Sequence, residues 1–181
     1  MRSLLLRALL KGSAVMKRPA PGDAVLAELA ETLRKQTRRS LGRSLAIREV
    51  DAGSCNGCEL EIHALNNSVY DVERFGLKFV ASPRHADVLL VTGPVTWNMR
   101  QALERTYAAM PEPKWVVGVG DCSINCGVFQ DSYACGGPLS AILPVDVHVP
   151  GCPPAPVEIL KALLGLMEAS TKVRNGANAG G

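Results

Sequence analysis

The sequence predicts an α/β fold built on a mostly parallel, doubly wound sheet, and three observations lead to this prediction. Segments with strand-type and helix-type hydrophobic patterns alternate along most of the chain. The length of 181 residues suits one domain with a full core. The composition is 47% hydrophobic but only 4% aromatic, which favours an aliphatic core over a surface that stacks bases. We therefore expect no nucleic acid partner.

The first 43 residues differ from the rest of the chain in charge, with ten Lys or Arg against three Asp or Glu. Leucines at helical spacing predict a short amphipathic helix from Met1 to about Leu10. The segment DAVLAELAETLRKQTRR predicts a second helix, with Asp23 as its N-cap. We interpret residues 1–43 as a basic N-terminal helical extension, and we expect its leucine-rich start to contact a membrane surface or a membrane subunit. A solvated charged helix is the alternative.

The body, residues 44–170, follows a βα pattern. SLAIREV (44–50) predicts a strand, CELEIHALNNSVYDVERFG (58–76) a helix, and LKFV (77–80) and ADVLLVTG (86–93) two further strands. WNMRQALERTYAAM (97–110) predicts a helix, KWVVGVG (114–120) and VDVHVPG (145–151) strands, and PAPVEILKALLGLMEAS (154–170) a closing helix. Residues 171–181, which end in NGANAGG, have no packing periodicity and are predicted to be a disordered tail.

The chain contains no feature that predicts export or insertion into a membrane. No stretch approaches the roughly 20 consecutive apolar residues that a spanning helix requires. Neither the start, MRSLLLRALLKGSAVMKRP, nor the later TRRSLGR has the flanking pattern of an export signal. We therefore expect the protein to stay in the cytosol, where metal or redox roles for cysteine outrank disulfides.

Four of the six cysteines lie where predicted strands end. Cys55 and Cys58 form a Cys-x-x-Cys pair after the first strand, Cys122 follows KWVVGVG, and Cys152 follows VDVHVPG. The carboxyl ends of parallel strands meet at one edge of a sheet, where ligands bind. We therefore expect the four thiols to share one pocket.

Several kinds of site use converging thiols. A disulfide conflicts with the reducing compartment, and a thioredoxin-type pair at Cys55 and Cys58 gives no role to the other two cysteines. Zinc accepts four thiolates, although structural zinc sites usually take both pairs from close knuckles. A 4Fe-4S cluster accepts thiolates from several loops, and adjacent glycines allow the backbone to approach it. These glycines are Gly57, Gly120 and Gly151. The residues favour the cluster and leave a zinc-binding interaction module and a thiol oxidoreductase open.

Three ordered motifs, SCNGCELEI, VGDCSINCGVF and VPGCPPAP, resemble those of the small subunit of nickel-iron hydrogenases and the related cluster subunit of respiratory complex I. The resemblance covers about residues 45–168 and implies a flavodoxin-like fold. It also implies one 4Fe-4S cluster held by Cys55, Cys58, Cys122 and Cys152. A subunit of this kind transfers electrons, so we expect no catalytic residue on this chain.

The cysteine spacing favours the hydrogenase branch of this superfamily. Two residues separate Cys55 from Cys58, whereas complex I subunits of this kind carry adjacent cysteines. We expect neither the export signal nor the cysteine-rich extension of uptake hydrogenases, so the chain looks like a small subunit of membrane-bound group 4 hydrogenases. The resemblance implies a hydrogenase-type large subunit, a ferredoxin-like iron-sulfur subunit and membrane subunits as partners, at the cytoplasmic face of the inner membrane. A complex I-like quinone oxidoreductase subunit is the alternative.

The chain also departs from the family pattern at Cys126 and Cys135. We predict that both are small buried hydrophobes, and the alternative is an exchange of Cys126 for Cys122 as a ligand. Glu59 and Glu61 either stabilise the start of a helix or tune the cluster and take up protons. The turn GPVTW (93–97) is predicted to line the cluster edge or a partner interface rather than to bind phosphate.

Overall fold

The computed structural model describes residues 24–178. Its strands are β1 (Leu45–Asp51), β2 (Leu77–Phe79), β3 (Val88–Thr92), β4 (Trp115–Val119) and β5 (Val147–Val149). Its α-helices are α1 (Ala24–Leu41), α2 (Gly57–Ala64), α3 (Trp97–Ala109), α4 (Asp121–Asn125) and α5 (Pro156–Asn178). Every strand predicted from the sequence is present, each within a few residues of its predicted bounds.

The five strands form one parallel sheet in the order β2-β1-β3-β4-β5. This is the strand order of flavodoxin-like folds, so the predicted doubly wound α/β architecture is confirmed, with every strand pair parallel. The direction of strand addition reverses between β1 and β3, which pair from Ile47↔Val88 to Asp51↔Thr92. In such sheets the crevice beyond the carboxyl ends of these two strands is where ligands bind.

Strand β3 lies at the centre of the sheet and is buried on both faces. Val88 and Leu90 belong to one apolar cluster, which also contains residues of α1, α2 and α5. Leu89 and Val91 belong to a second cluster, which contains residues of α3. Side chains alternate between faces along a strand, so an unbroken apolar run such as VLLVT fits a parallel sheet covered on both sides.

Helix α1 packs along α5, and its Leu33 is fully buried in the same cluster as Leu163 of α5. This packing could not be predicted from the local sequence, because the partner helix lies at the other end of the chain. The predicted leucine-rich helix at the start of the chain lies outside the described residues. Helix α5 continues through residues 171–178, where we predicted a tail. The division of the chain at residues 43 and 170 stays a prediction.

Within residues 24–178, no helix is both long and apolar enough to span a bilayer.

The predicted helix over residues 58–76 is wrong beyond its first two turns. Helix α2 ends at Ala64, and the side chain of Asn67 then accepts hydrogen bonds from the backbone N–H groups of Val69 and Tyr70, at 2.8 and 3.0 Å. Asn side chains compete with the helix by bonding to nearby backbone in this way. A short 3₁₀ helix, Val72–Phe75, leads from this turn into β2.

The buried carboxylate of Asp87 connects the start of β3 to the start of β1. Asp87 is 3% exposed, and its Oδ2 accepts a hydrogen bond from the Ala46 backbone N–H at 2.9 Å. Its two oxygens also accept from the guanidinium of Arg43, at 2.6 and 2.8 Å.

We expect Asp87→Ala to lower the free energy of unfolding by about 2–3 kcal/mol, because the substitution leaves a buried N–H group without a partner. Urea denaturation of the purified chain measures this change. The control is Glu104→Ala, which removes an exposed ion pair to Arg100 and should cost no more than about 0.5 kcal/mol. Equal effects of the two substitutions would contradict the role of Asp87.

Candidate metal centre

The four cysteines predicted to converge line one small cavity at the carboxyl edge of the sheet. Cys55 lies in the loop after β1, Cys58 in the first turn of α2, Cys122 in the first turn of α4, and Cys152 in the loop after β5. Cys58 and Cys122 are buried, whereas Cys55 and Cys152 are exposed. All six cysteines lie within the described residues and all are free thiols.

The first cysteine loop is shaped by hydrogen bonds to its own side chains. Asp51 Oδ1 accepts from the backbone N–H groups of Gly53 and Ser54, both at 2.7 Å. Ser54 Oγ then accepts from the Asn56 N–H at 3.0 Å, and Asn56 itself has a positive φ of 71°. These bonds and the positive φ of Asn56 turn the chain between the end of β1 and the start of α2, in the loop that contains Cys55.

Asp121 joins the other two cysteine segments. Its backbone N–H donates to the Gly151 carbonyl at 2.9 Å, and its Oδ1 accepts from the Gly151 N–H at 2.8 Å. Asp121 precedes Cys122, and Gly151 precedes Cys152, so this reciprocal pair fixes the distance between the two cysteine loops. This contact between two distant loops was not predicted from the sequence.

Two glycines leave room for the buried thiols. A Cβ added to Gly120 would lie 2.6 Å from Cys58 Sγ, and one added to Gly127 would lie 2.8 Å from Cys122 Sγ. Both glycines have a positive φ, of 85° and 50° respectively. At Gly57 the nearest contact is an ordinary 3.5 Å, to Cys55 Sγ, so the structure requires a glycine less strictly there.

The surroundings of the two buried thiols, Cys58 and Cys122, favour their neutral form. Burial, together with Glu59 and the three other cysteines of the cavity, raises the pKa of Cys58 to about 12. Burial also raises the pKa of Cys122, with Cys152 acting in the same direction and a hydrogen bond from the Val128 backbone opposing it. Deprotonating both thiols therefore requires a strong positive charge between them, which metal ions supply.

The chemistry of the donor set is compatible with an iron-sulfur cluster. Within residues 24–178, no three His, Cys, Asp or Glu side chains are arranged to hold one metal ion. Two of the four thiols in the cavity wall, those of Cys55 and Cys152, are exposed. Four sulfur donors spread over three loops, without a histidine among them, are typical of the ligands of a 4Fe-4S cluster. The ligand assignment itself stays a prediction.

The two remaining cysteines form a separate contact. Cys126 is 5% exposed, and burial together with a hydrogen bond to Cys135 raises its pKa to about 11. Cys135 is half-buried, and its backbone bridges to Thr96. Neither cysteine is in the wall of the four-thiol cavity. This position agrees with the predicted burial of Cys126 and gives no support to an exchange with Cys122.

The acidic residues near the cavity differ in their surroundings. Glu59 is 7% exposed, and neither of its carboxylate oxygens has a hydrogen-bond partner among the described residues. Glu61 is half-buried on the same helix. Burial raises the pKa of Glu49 on β1, and the neighbouring Glu59 and Asp51 act in the same direction. Glu49 was not predicted to lie in this region, because a polar residue in a strand carries no sign of being buried.

The turn GPVTW contributes to this region as predicted. Gly93 lies in the cavity wall, and Trp97 begins α3 with 57% of its surface exposed. The Trp97 N–H donates to the carbonyl of Ala134, next to Tyr133, which is 96% exposed. Val128, whose backbone bonds to Cys122, is 82% exposed. Exposed apolar residues thus lie at the start of α3 and on the segment that follows Cys122.

Comparisons with known proteins agree on one family. The family described as NADH ubiquinone oxidoreductase, 20 Kd subunit, matches residues 55–166. A probable membrane-bound hydrogenase subunit of Pyrococcus furiosus is 46% identical over 141 residues, which cover 78% of this chain and 84% of that protein. Formate hydrogenlyase subunit 7 of Escherichia coli is 42% identical over 159 residues, 86% of this chain and 61% of that protein.

The fold also resembles a solved structure of the membrane-bound sulfane sulfur reductase, described as an archaeal respiratory membrane complex. The TM-score is 0.65 at 36% sequence identity, and the match covers 78% of this chain and 77% of the other. At this level of identity, the similarity concerns the sequence as well as the fold.

Proposed function

Because the chain belongs to the family of the NADH ubiquinone oxidoreductase 20 Kd subunit, we propose that it is an electron-transfer subunit that carries one 4Fe-4S cluster. Cys55, Cys58, Cys122 and Cys152 would be the four ligands. The cluster would relay electrons between a ferredoxin-like subunit and the active site of a hydrogenase-type large subunit. The chain is part of an oxidoreductase complex and would perform no bond chemistry by itself.

The observation that carries this proposal is the single cavity lined by four thiols at the carboxyl edge of the sheet. A cluster bound there would accept and release one electron at a time. The protein would hold it from three loops, and the Asp121–Gly151 pair would fix two of those loops relative to each other. The buried Cys58 and Cys122 would shield its inner side from water, and the exposed Cys55 and Cys152 would lie at the outer side.

The exposed apolar residues beside the cavity support a partner at this face. Trp97, Val128 and Tyr133 are 57%, 82% and 96% exposed, and aromatic residues are enriched where proteins dock. We place the large subunit here, because an electron carrier must lie close to the site that it supplies. The membrane subunits would hold the complex at the cytoplasmic face of the inner membrane, to which this chain would attach peripherally.

Iron and sulfide analysis tests the cluster directly. Chain purified anaerobically should contain about four irons and about four acid-labile sulfides, and dithionite should produce a one-electron paramagnetic signal. A structural zinc module would contain zinc and no sulfide, and a thiol oxidoreductase would contain neither and would reduce disulfides unaided. Either of these results would reject the proposal.

A complex I-like role is the second candidate, and the matched family supports it by name. The two-residue separation of Cys55 and Cys58 favours the hydrogenase branch instead. Nickel analysis of the purified complex separates the two candidates. Nickel together with hydrogen-dependent reduction of the cluster supports the hydrogenase. Quinone-dependent reoxidation without nickel supports the complex I-like enzyme.

The basic, leucine-rich start of the chain is predicted to orient the subunit at the membrane. Lys and Arg near an anionic leaflet contribute about 1 kcal/mol each, so this segment alone would be a weak anchor. Deleting residues 1–15 should leave the iron-sulfur spectrum intact and reduce recovery of the complex in the membrane fraction. Full co-sedimentation of the truncated chain with membranes and partners would show that the segment has no such role.

A further inference from the structure

A second cavity, well separated in the chain from the four-thiol site, is formed by the C-terminal half of α1, the loop that follows it and the 3₁₀ turn before β2. Its volume is about 460 Å³, within the range of small-molecule sites. Its wall contains four arginines and one carboxylate, together with the buried Thr37. The charged residues are Arg34, Arg38, Arg43, Arg74 and Glu73.

Carboxylates outside the wall hold three of these arginines in place. Arg34 donates from Nε and Nη2 to Glu31, both at 2.9 Å, and Arg43 donates from both terminal nitrogens to Asp87. Arg74 Nη2 lies 2.8 Å from Asp71. A guanidinium has five N–H donors, so a bidentate pair fixes its plane and still leaves donors for a ligand. Arg38 is exposed and has no ion pair within the described part of the chain.

The hydroxyl of Thr37 also lacks a partner. Thr37 is 1% exposed, and its Oγ1 makes no hydrogen bond among the described residues. Two other helical threonines, Thr32 and Thr106, each donate to the carbonyl four residues earlier at 2.8 Å. A buried hydroxyl without a partner is unfavourable and marks a position where a bound group can accept its proton.

We propose that this cavity binds a phosphate group. Guanidinium groups match the oxygens of phosphate in pairs, and a phosphate can accept from several donors at once, including a hydroxyl. The preceding segment of the chain cannot supply the anion, because residues 1–22 contain five Lys or Arg and no Asp or Glu. The phosphate belongs either to the headgroup of an anionic lipid or to a soluble phosphate compound.

Binding measurements on the full-length, cluster-containing chain test this site with two probes. One probe is inorganic pyrophosphate, followed by titration calorimetry, and the other is vesicles of phosphatidylglycerol, compared with phosphatidylcholine. Arg38→Gln and Thr37→Val should each weaken binding, the arginine variant by about tenfold, because each removes a donor to the anion. Arg100→Gln is the matched control, since Arg100 is a half-exposed helical arginine outside the cavity, and it should bind like the wild type.

All variants retain residues 1–23, so any attraction of that basic segment to vesicles is the same in each. Thr37→Ser keeps the hydroxyl and should bind like the wild type. This result would show that Thr37→Val weakens binding because the hydroxyl is missing and not because the variant misfolds. Loss of vesicle binding alone identifies a lipid headgroup, and loss of pyrophosphate binding alone identifies a soluble phosphate compound. Loss of both shows that the site accepts a phosphate group from either source. The proposal is overturned if neither probe binds, or if Arg38→Gln binds both like the wild type. It is equally overturned if Arg38→Gln only weakens assembly with partner subunits, which would indicate an acidic protein segment.

Discussion

Replacing Cys55 or Cys152 by alanine is expected to abolish the 4Fe-4S signal and to lower bound iron from about four per chain to well below half of that. Both thiols line the cavity and both are exposed, so their removal disturbs little packing in the chain itself. The loss of iron would therefore report on ligation. Binding of a metal centre contributes to folding, so the same variants should also unfold at lower temperature.

The matched control for these variants is Cys135→Ala, which should retain iron near the wild-type level. Cys135 is half-buried and lies outside the cavity wall. Its substitution therefore removes a thiol without removing a predicted ligand. Iron and acid-labile sulfide assays, together with thermal unfolding, measure the effect. Equal loss of iron in all three variants would indicate a different site or general unfolding. Loss of iron in Cys126→Ala but not in Cys122→Ala would show that Cys126, and not Cys122, is a ligand.

The second large effect is expected from Gly120→Ala. An alanine there would place its Cβ 2.6 Å from Cys58 Sγ, at a backbone φ of 85° that alanine rarely adopts. The conformational strain alone costs about 1–3 kcal/mol, and the contact would displace the thiol from the cavity. We therefore expect both a lower free energy of unfolding and a reduced iron content. Urea denaturation and iron analysis measure the two quantities separately.

Substitutions at two other glycines distinguish backbone strain from the contact with Cys58 as the cause of the iron loss. Gly42 has a similar φ of 71° with open space around it, so Gly42→Ala should show the strain without the loss of iron. Gly165 lies in α5 with no atom near the added Cβ, so Gly165→Ala should stabilise the chain by about 0.5–1 kcal/mol. If Gly120→Ala retains all of its iron, the contact with Cys58 is not important for the site.

The sequence was sufficient to predict the strands and the convergence of the four thiols. Four of the five strands are followed within two residues by a glycine, and parallel strands bring the loops at their carboxyl ends to one edge of the sheet. The end of α2 was predicted less accurately than the strands. The side chain of Asn67 stops the helix through two hydrogen bonds to the backbone, which the spacing of apolar residues does not reveal.

Contacts between distant segments were the main features that the sequence did not predict. The burial of Leu33 depends on α5, and the pairing of Asp121 with Gly151 depends on two loops that follow different strands. The same applies to Glu49 of β1, which interacts with the charged groups of Glu59 and His63 on α2. In each case the residue type is ordinary for its local element, and only the tertiary arrangement gives it a role.

The position of Cys152 after β5 has a consequence for the order of events during synthesis. Strand β5 has three residues and lies at the edge of the sheet, and it is the last strand to leave the ribosome. Cys55, Cys58 and Cys122 are translated earlier, so the nascent chain carries three of the four thiols before the fourth can dock. A group held by all four thiols could be bound only after this edge strand has been made and has paired with β4. The last strand thus sets the moment at which the chain becomes competent for maturation.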